Sequence, residues 1–128
     1  MNKPYVYLSA TARDYSDLIM LARSVHLRLT NNDYFLDPTP GLSVLKSAID
    51  EATHALAKWG SVRNRGSSAD LDNLRIKSRV LWQLVRSEKY YVQKTASQIA
   101  GTNYMLMAVI LSSSGFPFRE KKKQKKKP

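Results

Sequence analysis

Six lysines fall within the seven positions 121–127, and Arg119 stands just before them. Basic side chains this dense do electrostatic chemistry. They neutralise phosphates, release counterions and give a binding constant that falls steeply with salt. Lysine lacks the forked guanidinium that pairs with base edges, so such a block reads charge and not sequence. A second basic cluster covers residues 58–79, and Arg63 and Arg65 stand in its polar loop, "SVRNRGSSAD". The expected polyanion-binding residues are therefore Arg63, Arg65, Arg119, Lys121, Lys122, Lys123, Lys125, Lys126 and Lys127. The expected partner is RNA or DNA, bound without sequence preference. Seven of the 21 basic residues and one of the 10 acidic ones lie in 119–128, so this end carries +6 of the net +11. The competing reading is a tail that only solubilises.

Other chemistry finds little support. His26 and His54 are the two histidines, and Asp50 stands at i, i+4 to His54. A metal needs further ligands than that pair, so no metal site is expected. Asp50 and Glu51 are adjacent, project from different helix faces and cannot share acid–base work. The 5 glycines form no phosphate-cradling loop, and the absence of cysteine removes thiolate nucleophiles. The serines sit where helix caps and loops are expected. The sequence thus predicts neither an enzyme nor a cofactor. Trp59 and Trp82 lie on or beside apolar stripes and read as packing residues. Tyr90 beside Lys89, and Tyr91 near Lys94, are the aromatic–basic pairs that hint at a nucleic-acid surface.

Helices must position these groups. A chain of 128 residues is one domain by size. We divide it into a helical bundle, residues 1–118, and a lysine-rich tail of disordered type, residues 119–128. "KPYVYLSA" reads as a short extended arm laid on the body. Ser16 is the expected cap of a first helix, whose stripe is Leu18, Leu21, Ala22, Val25 and Leu29. Thr39 and Pro40 are expected to open a second helix, with Leu42, Leu45, Ile49, Ala52, Leu56 and Trp59 on one face and Gly60 at its end. Ser68 caps a long third helix reaching Ala100, its stripe running Leu71, Leu74, Ser78, Leu81, Val85, Glu88 and Val92. Gly101 ends it. Thr102 or Asn103 caps a fourth, "YMLMAVILSS", apolar on nearly every side and hence destined for a core or a partner. Gly115 suits the left-handed position past its end. The expected fold is all-α, an up-down four-helix bundle. The longest apolar run, residues 104–111, is far shorter than a membrane span, and no secretory signal is visible. The expected location is the cytoplasm, with a virion as the alternative.

The loops carry a resemblance. "NNDYFLDPTPGLSVLKSAI" fits the pattern N-x-x-F-x-x-P-x-P-x-L-x-x-L-x-x-A-I, and "SSSGF" supplies an S-G-F exit. Over roughly residues 5–118 the chain resembles a family of small uncharacterised helical proteins of Bacteroidota and their mobile elements. In longer members of that family a helical bundle precedes a fibronectin-type-III-like β-sandwich. The resemblance implies the helical fold and no established activity. This chain has its lysines where the sandwich would begin.

Two functions follow as expectations. The first is a non-enzymatic scaffold that docks on a nucleic-acid-containing assembly through the basic loop and tail. The second is a structural component, of a virion, a mobile element or a homo-oligomer. Its protein interface would be Tyr104, Leu106, Phe116 and Phe118, and the tail would only solubilise.

Overall fold

The computed structural model describes residues 2–60 and 68–120. Among them the chain runs β1 (Pro4–Val6), α1 (Tyr15–Leu29), α2 (Leu42–Gly60), α3 (Ser68–Ala100), α4 (Tyr104–Ser112) and β2 (Phe118–Glu120). The fold is mostly helical, as the apolar periodicity predicts. At 33 residues α3 is the longest element, about 50 Å at the usual helical rise. It is the spine: α1, α2, α4 and β1 all pack on it.

The buried stripes follow the predicted spacing closely. Leu18, Leu21, Ala22, Val25 and Leu29 of α1 meet Leu45, Ala48, Ile49 and Ala52 of α2 in one core with most of the buried face of α3. That face is Leu74, Ser78, Leu81, Val85, Glu88, Val92, Ala96 and Ala100. Phe35, from the α1–α2 loop, is 1% exposed and tilts against the Tyr91 ring at 6.0 Å. Trp59 meets Tyr15 edge-to-face at 6.3 Å, which is a packing role. Trp82 is half-buried against the core.

Three helix starts differ from expectation, and one of them is α3, where Ser68 is the first helical residue and not a cap before it. α1 begins at Tyr15, so Ser16 is inside the helix; Asp14 takes the cap position, but its carboxylate accepts from Thr11 N–H and Oγ1–H instead. Those two bonds, the backbone one first, hold the Asp14 carboxyl below its usual range. α2 begins at Leu42 and not at Pro40. The Thr39 hydroxyl donates back to the Asp37 carbonyl, and the Gly41 carbonyl takes the first helical bond, from Leu45 N–H. At α4 the choice between two caps resolves to Asn103, whose Oδ1 accepts from Leu106 N–H at 3.1 Å.

The extended arm is a strand, and its partner lies at the other end of the chain. β1 pairs antiparallel with β2, with Tyr5 opposite Arg119 and Val6 opposite Phe118. The period-two pattern in "KPYVY" was legible; "FRE" is too short and too close to the lysines to read as its mate. Arg119 and Glu120, assigned to the tail by composition, therefore belong to this ribbon. Its other edge meets α3: Gln93 accepts from Val6 N–H at 2.9 Å and donates to the Pro4 carbonyl. Gly115 makes the closure possible. Its φ is +83°, and a Cβ there would stand 2.6 Å from the Ser24 carbonyl oxygen, so the exit lies backbone-to-backbone on α1.

Candidate nucleic-acid interface

The predicted basic residues divide sharply. Arg63, Arg65, Lys121, Lys122, Lys123, Lys125, Lys126 and Lys127 lie outside the described residues. Arg119 is described and well held. Its Nε–H donates to the Tyr5 hydroxyl at 2.8 Å, and its guanidinium carbon lies 4.5 Å from the Tyr7 ring centre.

A basic surface that charge counting found only in part, at Arg75 and Arg79, runs along α3. Arg75, Arg79, Trp82, Arg86, Lys89 or Tyr90, and Gln93 follow one another at steps of three and four, so they share one seam beside the buried stripe. Arg86 lies 5.4 Å from the Trp82 ring centre and 5.8 Å from that of Tyr90. Lys89 lies 4.6 Å from the Tyr90 ring, which is itself 55% exposed. A hydrogen bond from Arg86, then its charge and that of Lys89, hold the Tyr90 phenol below its ordinary pKa. The sequence signal was present in the Tyr90–Lys89 pair. It was incomplete because Arg79 and Arg86 join it only when positions three and four apart are read along the flank of the core stripe.

The charge on this seam is largely unneutralised. Acidic groups answer Lys46 (Asp50), Lys58 (Asp70), Arg75 (Asp72) and Lys77 (Glu51). Among the described residues no carboxylate lies within ion-pair distance of Arg79, Arg86, Lys89 or Arg119. Gln93 joins the seam to the β1–β2 ribbon, and Arg119 lies on the ribbon just before the lysine block.

The expected protein interface changes its membership. Phe116 is 3% exposed and belongs to the core, because Gly115 turns it inward beneath α1. Phe118, Tyr104 and Leu106 are half-buried against that core. The exposed apolar residues of α4 are Met105 at 72% and Val109 at 55%, one turn apart. Sequence alone could not choose among the faces of a helix that is apolar all round.

His26 and His54 stand on separate helices, and Asp50 faces Lys46 at 3.8 Å. Among the described residues no three His, Cys, Asp or Glu side chains group as metal ligands would. No helix of the described residues is long and apolar enough to cross a membrane. No family model, curated protein or solved structure matches the chain.

Proposed function

We propose that the protein is a non-enzymatic helical scaffold that docks on a nucleic-acid-containing assembly by backbone charge. The observation that carries this reading is the α3 seam, where Arg86 and Lys89 both lie against the exposed Tyr90 ring and no carboxylate of the described residues stands within ion-pair distance of either. Arg75 and Arg79 lie about 6 Å apart along the axis and Arg86 and Lys89 about 4.5 Å, with about 10 Å between the two pairs. The spacing within each pair suits successive phosphates, and aromatic faces add sequence-tolerant stacking. The lysine block, following the ribbon at Glu120, supplies further phosphate contacts. The four helices are read as an up-down bundle, which the packing of each helix on the next supports for α1 with α2, α2 with α3, and α3 with α4. Membership of the Bacteroidota helical family belongs to the same proposal, as does a cytoplasmic or virion location.

The test is oligonucleotide binding by fluorescence anisotropy across a salt series, with the full chain and a chain ending at Glu120. The truncation spares β2, which a cut at Phe118 would break. The reading predicts binding whose salt slope is shared between tail and seam. If neither chain binds at physiological salt, the reading fails.

One observation favours a second reading, a protein-binding or self-associating component. Met105 and Val109 of α4, with Met20 and Leu27 of α1, are apolar side chains left exposed among the described residues. Oligomers that persist at high salt and dissolve in Val109→Asp would support it.

A further inference from the structure

Most exposed arginines sample many rotamers, and binding a ligand costs them that freedom. Arg119 is different. It stands opposite Tyr5 in the ribbon register. Its Nε–H is already donated to the Tyr5 hydroxyl, and its plane lies over Tyr7, with the Tyr5 ring centre 5.6 Å away. Tyr5 and Tyr7, the latter one residue past the strand, share one face because they are two apart, while Pro4 and Val6 on the other face are buried. Tyr7 is fixed in turn by its N–H, which donates to the Pro117 carbonyl at 3.1 Å. Glu120, the nearest acid in sequence, pairs with Pro4 and so points to the opposite face of the ribbon.

A guanidinium has five N–H donors in a rigid plane. With Nε engaged, the two terminal nitrogens are left to form the end-on fork that matches two oxygens of one phosphate. We propose that Arg119, held by Tyr5 and Tyr7, is a phosphate-binding fork that takes one backbone phosphate of a nucleic acid at the root of the lysine tail. The choice of nucleic acid rests on the function proposed above, whereas the fork itself is built for any phosphate ester. It differs in kind from the lysines beside it. They contribute point charge, and it contributes a fixed geometry.

Two measurements on the full chain separate the fork from that function. The first follows the Arg119 Nε–H resonance by NMR during titration with inorganic phosphate, with sulfate-free chloride at equal ionic strength as control. The fork predicts a saturable shift that chloride does not produce. The second compares wild type with Arg119→Lys and Tyr5→Phe for binding to a short oligothymidylate. Arg119→Lys keeps the charge and loses the fork, so affinity falls about fivefold with the salt slope unchanged. Tyr5→Phe frees the guanidinium and weakens binding about twofold. A phosphate shift with no oligonucleotide binding by any chain keeps the fork and ends the nucleic-acid reading. Oligonucleotide binding that is equal in all three chains, with an Arg119 resonance blind to phosphate, overturns the fork and leaves the nucleic-acid reading standing. The NMR titration needs no variant, so a ribbon weakened by substitution cannot obscure the result.

Discussion

Glu88 and Arg119 are opposite cases of a charged side chain. Glu88 lies in the middle of α3 with no exposure, and neither carboxylate oxygen has a hydrogen-bond partner among the described residues. Every buried residue of α1, α2 and α4 is apolar, so those buried faces offer it no cation. Burial alone pushes its carboxyl up to about 8. Arg119 is exposed, yet two tyrosines and a strand register fix it. The lesson is where organisation is spent. The core tolerates an acid by keeping it protonated. The surface orders a cation by a hydrogen bond and two aromatic rings. Ser78 and Ser114 sharpen the contrast, for both are as buried as Glu88 and both find a backbone carbonyl, that of Ala12 and that of Leu111.

The largest expected effect breaks the Glu88 side of the comparison. Its folded pKa lies above its unfolded value, so stability is greatest below the unfolded pKa near 4.5 and falls as pH rises toward about 8. Within that window the unfolded state gives up a proton that the folded state keeps, and stability drops by roughly 1.4 kcal/mol per pH unit. Above it both states are ionised and the dependence flattens. Urea midpoints measured from pH 4 to pH 9 should show this slope, and Glu88→Gln should remove it. A wild-type curve as flat as the Gln variant would show that the carboxyl is not held protonated.

Next in size is Gly115→Ala, which attacks the side of the surface clasp. The left-handed backbone and the contact with Ser24 leave no room for a methyl, so a loss on the order of 3 kcal/mol is expected by thermal unfolding. A normal melting temperature would mean that the exit does not lie on α1. Replacing Arg86 by Ala removes its contacts with the Trp82 and Tyr90 rings and, on the proposed function, one phosphate contact. Oligonucleotide affinity should fall about three- to tenfold at low salt, read by anisotropy. The smallest effect is Tyr5→Phe on stability. It deletes one exposed hydrogen bond, worth about 0.5–1 kcal/mol, and a larger loss would make the Arg119 clasp chiefly a stabiliser of the ribbon.

Legibility in the sequence followed local rules. The stripes of α1, α2 and α3 were readable because each buries one face at helical spacing, and Glu88 was even placed on the correct stripe. Its loneliness there was not readable, since partners across a core are not a property of spacing. The family-like loop residues turned out to be ties between segments. The Asn32 side-chain amide donates to the Arg28 and Ser113 carbonyls, and Phe35 plugs the core. The β1–β2 ribbon joins residues more than a hundred positions apart, which no window along the chain reveals. The site was half visible. Charge density pointed to the tail, whereas the α3 seam is spread over four helical turns and never forms a run.

The most direct test of the central claim is the salt dependence of oligonucleotide binding, comparing the wild-type chain with one carrying Arg79→Gln, Arg86→Gln and Lys89→Gln together. Binding through the seam predicts a linear fall of log K with log salt, and a slope shallower by about 2 in the triple variant, from roughly 0.7 per single-strand phosphate contact. Equal affinity and equal slope in the two chains would contradict the seam, and absence of binding at physiological salt by the wild-type chain would contradict the function.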